Sequence, residues 1–385
     1  MHSTKRGQST AYLYGQILGY MLLVIMIAVL VMNFNHNAKR LDTELDWSFL
    51  ALKSGFGITQ KWLAHHGYHS NLNVLLVGLV NTVVVSILSI VASSVIGAIV
   101  AMGATARNIV LQKSAAVYVN IFRNVPLLIQ ILFWYNLWVT KLPTVKQTAT
   151  LFSIAINNRG IYLPSIQHHE MVYVLFAAGT VLHLLLLRVF QYRKVASVAI
   201  ARYNMLPLAS LTTTVIILLF IAISGLQGAL APPVIGRFNV SGFHIYPEFI
   251  ALFFGLTFYT AAYNAESIRG AILAVPAGQK EVAESLSLSP WQSFTTVILP
   301  QSIPGFIPPL TSHYVNVAKN SSLGLSVGYP ELFAIFAGTV LNQTGRATEI
   351  IAIIMLVYLM LSAVIITIMN WVNRKQSHWA GGQVQ

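Results

Sequence analysis

The sequence predicts an all-α polytopic membrane protein, and three observations lead to that prediction. Of its 385 residues, 56% are hydrophobic and only 9% are charged, whereas about a quarter are charged in a soluble domain. Several uncharged runs reach about 20 residues, the length that crosses a hydrocarbon core as a helix. The formal net charge of +13 is concentrated in loops beside those runs, which indicates positive-inside topology and contact with lipid headgroups rather than nucleic acid.

Eight candidate spans follow in chain order. They lie near 15–34, 74–102, 115–139, 171–190, 206–226, 248–268, 297–318 and 348–371. The first is interpreted as a retained span, because no small-x-small cleavage site follows it. The seventh contains Pro300, Pro304, Pro308 and Pro309, and we expect these prolines to break it where neighbouring helices satisfy the freed backbone groups.

The segments between the spans supply the topology. The Lys and Arg residues favour cytoplasmic placement of both termini, most clearly through the cluster at 188–202. We expect a small cap from loop 35–73, a surface helix and loop from 148–164, and a re-entrant or interfacial helix from 332–341, which is too short to cross.

Catalytic and ion-coupled functions find little support. The chain has no cysteine, no G-x-x-x-x-G-K-[ST] and no H-E-x-x-H. The histidines of HHGYH (65–69) and HHE (168–170) are more typical of loops than of a metal site, so we expect no metal. Of ten acidic residues, only Glu266 lies inside a span, and the others are expected in loops or at span ends, which argues against proton coupling. An ion-coupled secondary amino acid carrier, for which sodium coupling stays open, and a membrane-embedded scaffold protein remain as alternatives.

Polar residues within the spans form a candidate substrate path. Individually, each is best explained by hydrogen bonding between helices or by snorkelling. Together they offer both signs of charge, which would suit a zwitterion. The candidates are Arg123, Gln130, Tyr259, Tyr263, Glu266, Lys319 and Asn320.

A charged amphipathic segment interrupts the apolar chain after the sixth span. A short helix is predicted from Ala277 to about Leu288, with Val282, Ala283 and Leu286 on one face and Lys280, Glu281 and Glu284 beside it. Ser289 and Pro290 can start the next helix as N-cap and first-turn residue. Chemistry alone leaves two explanations open, an interfacial linker or a docking element for a cytoplasmic partner.

This segment resembles the EAA loop of the membrane subunits of ABC importers, whose pattern is E-A-A, three residues, G, nine residues, I-x-L-P. The chain has Glu281-Val282-Ala283, then Ser287, then Val297-Ile298-Leu299-Pro300. Val282, Ser287 and Val297 depart from the pattern, and Ser287 replaces the glycine of the turn. The resemblance implies an ATPase-coupling loop, at 278–300, whose coupling residues are Lys280, Glu281, Val282, Ala283, Glu284, Leu286 and Ser287.

The segments that flank this loop resemble polar amino acid ABC permeases. The first span, the two inserted spans and residues 157–164 resemble the larger permease subunit of general L-amino acid transporters. The matching sequence segments are 122–135, 157–164, 246–281 and 300–332. The resemblance implies a five-span core extended to about eight spans in the bacterial inner membrane. It divides the chain into an N-terminal span and outer loop (1–73), core spans (74–140), an inserted outer segment with two extra spans (141–247) and further core spans (248–385).

The resemblance also implies the partners. They are a paralogous permease subunit in a heterodimer, two copies of a cytoplasmic ATPase and an extracytoplasmic solute-binding protein. ATP and Mg²⁺ would bind to the ATPases, and this chain would bind no cofactor and have no catalytic residues.

Overall fold

The structure is a computed structural model that describes residues 45–151, 154–163 and 243–380, together with 15–26, 28–30, 32–33, 36, 165–166 and 230–231. The expected spans at 171–190 and 206–226 lie outside these residues. The helices are α1 (Gly15–Leu30), α2 (Asn71–Ala104), α3 (Ile109–Asn124), α4 (Leu127–Lys141), α5 (Pro247–Leu273), α6 (Ala277–Ser285), α7 (Pro290–Ser293), α8 (Leu299–Asn320), α9 (Leu341–Thr344) and α10 (Ala347–Ala380). The strands are β1 (Ala149–Leu151), β2 (Ile154–Asn157), β3 (Gly160–Leu163), β4 (Ser165–Ile166), β5 (Leu230–Ala231) and β6 (Phe243–Ile245).

Helices α2 and α5 form the centre of the bundle. They cross closely at Gly97, where an added Cβ would lie 2.7 Å from the Cβ of Asn264. Helix α4 packs on the other side of α5, where Gly255 faces Ile131. Helix α8 lies against α5 and α10. These close approaches bury polar as well as apolar side chains, and Asn264 is fully buried.

The predicted span at 115–139 is a pair of helices, α3 and α4, bent by 102°. Pro126 lies in the bend and disfavours helical geometry at Val125, which is extended. The buried Gln130 amide donates to the carbonyls of Phe122 and Val125, both at 2.9 Å. Gln130 therefore satisfies carbonyls that the interrupted helix leaves free.

The prediction that prolines break the seventh span is wrong. Helix α8 runs without interruption through Pro304, Pro308 and Pro309. A π-helical turn, Phe294–Ile298, comes immediately before it. Each proline removes one N–H donor, but the fixed φ angle of proline still suits a helix, so packing against α5 and α10 keeps α8 continuous.

Length and apolarity alone support fewer spans than the eight that we expected. Among the described residues, two helices satisfy both criteria, Asn71–Ala104 and Ala347–Lys375, or three spans if the bent pair counts as one. The shorter apolar helix α1 exposes its large side chains. Helices α5 and α8 carry several polar side chains, which lowers their hydropathy.

The all-α prediction is wrong for the segment that follows α4. Where we expected a surface helix and loop, the described residues form the strands β1, β2 and β3, in an antiparallel sheet with order β1-β2-β3-β6. Burial alternates along β2 and β3, as expected for a sheet that covers one side of a core. Asn158 and Arg159 form the turn between them, and Gly160 has a φ angle of +132°.

We call the end of the bundle that carries this sheet the sheet end, and the opposite end, with α6 and α7, the loop end. Residues 45–70 form the expected small cap at the sheet end. Phe49 and Ile58 are buried in it. Arg346 pairs with Asp46 at 2.9 Å and lies 3.7 Å from Glu349, so an ion-pair cluster joins the cap to the first turn of α10.

Titratable groups at the sheet end are held by their neighbours. Hydrogen bonds from Ser48 lower the pKa of Asp46, and the Arg346 charge adds to this effect. His244 of β6 stacks on Tyr162 of β3 with ring centroids 4.2 Å apart, and its Nε2 donates to the carbonyl of Arg159. Burial lowers the pKa of His244, because the charged imidazolium loses solvation.

Between α8 and α10 the chain folds back into the bundle, which favours the re-entrant alternative for 332–341. Leu332 faces Gly78 of α2, and a π-helical segment, Ala334–Val340, continues into α9. Glu331, which lies outside the eight expected spans, is fully buried. Its carboxylate accepts hydrogen bonds from the amides of Phe333 and Ala334 and from the Tyr358 hydroxyl at 2.7 Å. These bonds give Glu331 a structural role.

Candidate functional site

The loop end presents two short helices joined by a tight turn. Helix α6 ends in a Schellman motif, in which Leu288 N–H donates to the Ala283 carbonyl and Ser287 N–H donates to the Glu284 carbonyl. Ser287 has a φ angle of +55°, and no other non-glycine residue among those described has a positive φ. The departure from glycine at this position therefore leaves the turn intact and places a serine in a left-handed conformation.

Helix α7 starts as the sequence predicts. The Ser289 side chain accepts from the Gln292 amide, the Gln292 side chain accepts from the Ser289 amide, and Pro290 occupies the first turn. This reciprocal pair is a capping box. It fixes the entry of the chain into α7, so the two short helices meet at a defined angle at the bundle surface.

The predicted shared face of α6 is wrong at one position. Ala283 is 1% exposed, whereas Val282 is 58% and Leu286 is 67% exposed. A helix turns by about 100° per residue, so burial of Ala283 against the bundle turns the adjacent Val282 outward, and Leu286 is the C-cap, just beyond the end of α6. The remaining coupling candidates, Lys280, Glu281, Glu284 and Ser287, are also exposed.

An exposed tryptophan extends this surface, and the sequence prediction missed it. Trp291 of α7 is 68% exposed and lies 6.1 Å from the Phe294 ring between centroids. Its place directly after Ser289 and Pro290, which the sequence predicts to start a short helix, is the signal that could have identified it. With Val282 and Leu286, it gives the loop end exposed apolar side chains.

A second group of candidates meets on the side of α5 that faces α3 and α8. The Arg123 guanidinium lies 5.1 Å from the centre of the Tyr263 ring, a cation–π distance. The Tyr259 hydroxyl lies 3.3 Å from that of Tyr263. Tyr259, Tyr263 and Glu266 share one face of α5, because they follow each other at four and three residues.

His313 of α8 completes this group and was not predicted. Its ring centroid lies 5.6 Å from that of Tyr263, and its Nε2 is 3.1 Å from the Ser267 hydroxyl. Glu266 is not free, because Arg269 binds it through two hydrogen bonds of 2.6 and 3.0 Å. We call Arg123, Tyr259, Tyr263, Glu266 and His313 the α5 polar cluster.

The structure separates the other path candidates from the α5 polar cluster. Gln130 is committed to the α3–α4 bend. Lys319 is exposed and Asn320 half-buried at the far end of α8. Lys319 is six residues beyond His313, or about 9 Å along a helix. These residues therefore belong to separate parts of the bundle.

The histidines of HHGYH have local partners. His65 is buried, and its two ring nitrogens lie 2.9 Å from Asn73 Oδ1 and 3.0 Å from the Phe56 carbonyl. Among the described residues, no group of three or more His, Cys, Asp or Glu side chains is placed to hold a metal ion. His168 and His169 lie outside the described residues.

The family description "Binding-protein-dependent transport system inner membrane component" matches residues 177–378 of this chain. That range contains α5 to α9 and most of α10. The chain belongs to this family. It is accordingly an integral inner-membrane protein with the permease fold of ABC importers, and the resemblance seen in the coupling-loop motif is confirmed at family level.

Relatives match over nearly the whole chain. YhdX of Escherichia coli (strain K12), named as an amino-acid ABC transporter permease protein, is 37% identical over 94% of this chain and 92% of its own length. The general L-amino acid transport system permease protein AapQ of Rhizobium johnstonii is 36% identical over 95% of this chain and 92% of its own length. The BztB permease protein of a glutamate/glutamine/aspartate/asparagine transport system in Rhodobacter capsulatus is 30% identical over 92% of this chain and 91% of its own length. A crystal structure titled as an amino acid ABC transporter with histidines aligns with a TM-score of 0.47 at 18% identity, over 79% of this chain and 94% of that one.

Proposed function

We propose that this chain is the transmembrane permease subunit of an ATP-driven importer of polar L-amino acids, and that residues 278–300 couple it to ATPase subunits. The observation that carries the proposal is the loop end itself. Its Schellman turn at Ser287 and capping box at Ser289 fix the backbone that connects the two short helices. That helix presents Glu281, Val282 and Leu286 to solvent beside α5 and α8.

The proposed complex contains a paralogous permease partner, two copies of a cytoplasmic ATPase and an extracytoplasmic binding protein. The family description names a binding-protein-dependent system, which supports the last of these. ATP and Mg²⁺ would bind to the ATPases. This subunit would hydrolyse no ATP alone, since its sequence has no P-loop. Uptake driven only by a proton or sodium gradient would instead support a secondary carrier.

The substrate class follows from the relatives and from the α5 polar cluster. Their names specify amino acids, L-amino acids, and glutamate, glutamine, aspartate and asparagine. In the cluster, Arg123 can attract a carboxylate, and the Glu266–Arg269 pair offers both charges one turn away. Lys319 and Asn320 would contact substrate only at another stage of passage, because they lie at the far end of α8.

We propose eight spans with both termini in the cytoplasm, so that the loop end faces the cytoplasm and the sheet end faces outward. The chain is proposed to divide into segments 1–73, 74–140, 141–247 and 248–385.

Cysteine labelling tests this orientation. The chain has no natural cysteine, so Thr150→Cys and Ser285→Cys, at exposed positions of opposite ends, can each carry a single label. An impermeant maleimide should label the first in intact cells and the second only after permeabilisation. The opposite result would reverse the orientation.

The coupling role is tested by charge reversal at the loop end. Glu281→Lys should leave membrane insertion intact and weaken ATPase binding, because it replaces an exposed acidic group with a basic one at the proposed interface. Lys113→Glu is the matched control, a charge reversal on the exposed surface of α3. Co-purification of the ATPase and substrate-stimulated hydrolysis are the measurements. Normal values for Glu281→Lys would rule out the docking role.

The substrate role is tested by competition uptake of labelled glutamate and glutamine with the whole complex. Arg123→Gln should change the preference between the two, because it removes the cluster's contact with a carboxylate. Lys141→Gln, an exposed residue at the end of α4, should leave the preference unchanged. If the complex imports no amino acid, the substrate assignment fails. If Arg123→Gln imports both with the original preference, Arg123 is not a ligand.

A further inference from the structure

A groove of about 340 Å³ opens behind the coupling loop. Its walls come from the loop between α2 and α3, the end of α5, helix α6 and the π-helical turn before α8. Its volume falls in the range of small-molecule sites. The coupling proposal includes Lys280 and Glu284 of its lining but assigns no ligand to the groove, and the exposed Val282 and Leu286 do not line it.

The groove is apolar within and charged at its edge. Its lining includes Ile272, Val275, Phe294 and Ile298, with Arg107, Lys280 and Glu284 as the charged members. None of the ion pairs found among the described residues includes Arg107 or Lys280. Two cationic groups therefore face one carboxylate, and Glu284 is one helical turn from Lys280 on α6.

The position of the groove identifies its surroundings. Helix α2 ends at Ala104 and α5 at Leu273, so the groove lies where two long helices of the bundle end. Leu273 is 62% exposed at its edge. The exposed Trp291 directly follows Pro290, which lines the groove. Tryptophan is enriched at the boundary between the hydrocarbon core and the headgroups of a membrane.

We propose that this groove binds an anionic phospholipid of the cytoplasmic leaflet. The phosphate would contact Arg107 and Lys280, and the upper acyl chain would pack on Ile272, Val275 and Phe294. A hydroxylated headgroup such as that of phosphatidylglycerol could also donate to Glu284. The assignment to the cytoplasmic leaflet depends on the orientation given under the proposed function, whereas the binding site itself does not. Because Lys280 and Glu284 are on α6, the lipid would support the coupling loop from behind.

The experiment measures lipid binding to the purified full-length chain by native mass spectrometry. Phosphatidylglycerol is the probe, and phosphatidylcholine and phosphatidylethanolamine of the same chain length are the comparisons. Phosphatidylglycerol should be retained preferentially. Arg107→Gln should bind it about fivefold more weakly, as expected for the loss of one basic group at a membrane surface.

Two further variants keep the test decisive. Lys113→Gln removes the same charge from the neighbouring helix without touching the groove, and its binding should equal that of the original chain. Ala277→Phe fills the groove without a charge change and should also reduce retention. Equal binding by Arg107→Gln and Lys113→Gln would overturn the site, as would preferential retention of phosphatidylethanolamine. Displacement by millimolar inorganic phosphate would indicate a soluble anion instead and would also overturn it. Failure to co-purify an ATPase would contradict the proposed function but would leave these binding measurements unaffected.

Discussion

The two ends of the bundle satisfy their polar and apolar groups in opposite ways. At the sheet end, Asp46, Arg346 and Glu349 bind one another, and the cap covers Phe49 and Ile58. At the loop end, Val282, Leu286 and Trp291 remain exposed. The sheet end is stabilised by contacts within the chain, whereas the loop end has a fixed backbone and uncommitted side chains. A surface of the second kind is suited to binding another molecule, and this difference underlies both proposals.

The largest effect should come from the turn of the sheet. Gly160 has a φ angle that other residues rarely adopt, and a Cβ there would collide with the Ile245 carbonyl. Gly160→Ala should lower the free energy of unfolding of the sheet by about 3 kcal/mol. Hydrogen exchange at β3 and β6 is the measurement. Gly270→Ala, where the added Cβ meets nothing within 4 Å, should have no such effect, and similar exchange in both variants would contradict the prediction.

A smaller effect is expected where the folded-back segment meets α10. Tyr358→Phe removes the hydroxyl that donates to the buried Glu331, which should cost about 2 kcal/mol of stability. Thermal unfolding in detergent is the measurement. Tyr135→Phe is the comparison, because its hydroxyl is 3.4 Å from Glu248 and makes a weaker bond. A larger loss from Tyr135→Phe would show that the folded-back segment does not depend on this contact.

A still smaller effect on stability is expected at the loop end, where one substitution should stabilise the turn and another should destabilise it. Ser287→Gly should stabilise the turn, since glycine adopts φ near +55° without steric cost, whereas Ser287→Val should destabilise it by about 1 kcal/mol. The measurement is limited proteolysis of the loop in the isolated chain, together with ATPase stimulation in the complex. If both substitutions gave the same result, the left-handed turn would not control the loop.

The smallest effect is a pH dependence confined to the sheet end. The pKa of His244 is lowered by burial, so the unfolded sheet binds a proton more readily than the folded one. Stability is then complete above the ordinary histidine range of about 6.5 and decreases as the pH falls below it. Exchange protection of β6, corrected for intrinsic rates, should decrease at low pH in the original chain and stay constant in His244→Gln. A pH response retained in that variant would exclude His244 as its source.

The sequence predicted the loop end well because its information is local. Ser289, Pro290 and the spacing from Glu281 to Pro300 lie within one short stretch and specify caps and turns directly. The face of α6 was harder, since Val282 and Ala283 are adjacent apolar residues and only the neighbouring bundle decides which one is buried. The bend after α3 was readable in principle, because Pro126 restricts Val125.

The sheet and the α5 polar cluster depend on contacts that are distant in the chain. Strand β6 joins β3 from about 80 residues away, with Ile161 opposite Ile245, and strands of three or four residues give a weak periodic signal. His313 reaches Tyr263 only through the packing of α8 on α5. Helix α8 itself stays continuous because of that packing, which no local rule for proline includes.

The burial of Ala283 has a mechanical consequence. It is the one side chain of α6 that is buried, and the Gln301 side chain of α8 donates a hydrogen bond to the Gln279 side chain of α6. A helix with only one buried side chain has little packing to hold its orientation and can act as a pivot. It can tilt with little resistance, so a force applied to its outer face passes mainly through its covalent ends, into α5 on one side and, through α7, into α8 on the other. Displacement at this joint would therefore reach the two helices that carry Tyr263 and His313 at the same time.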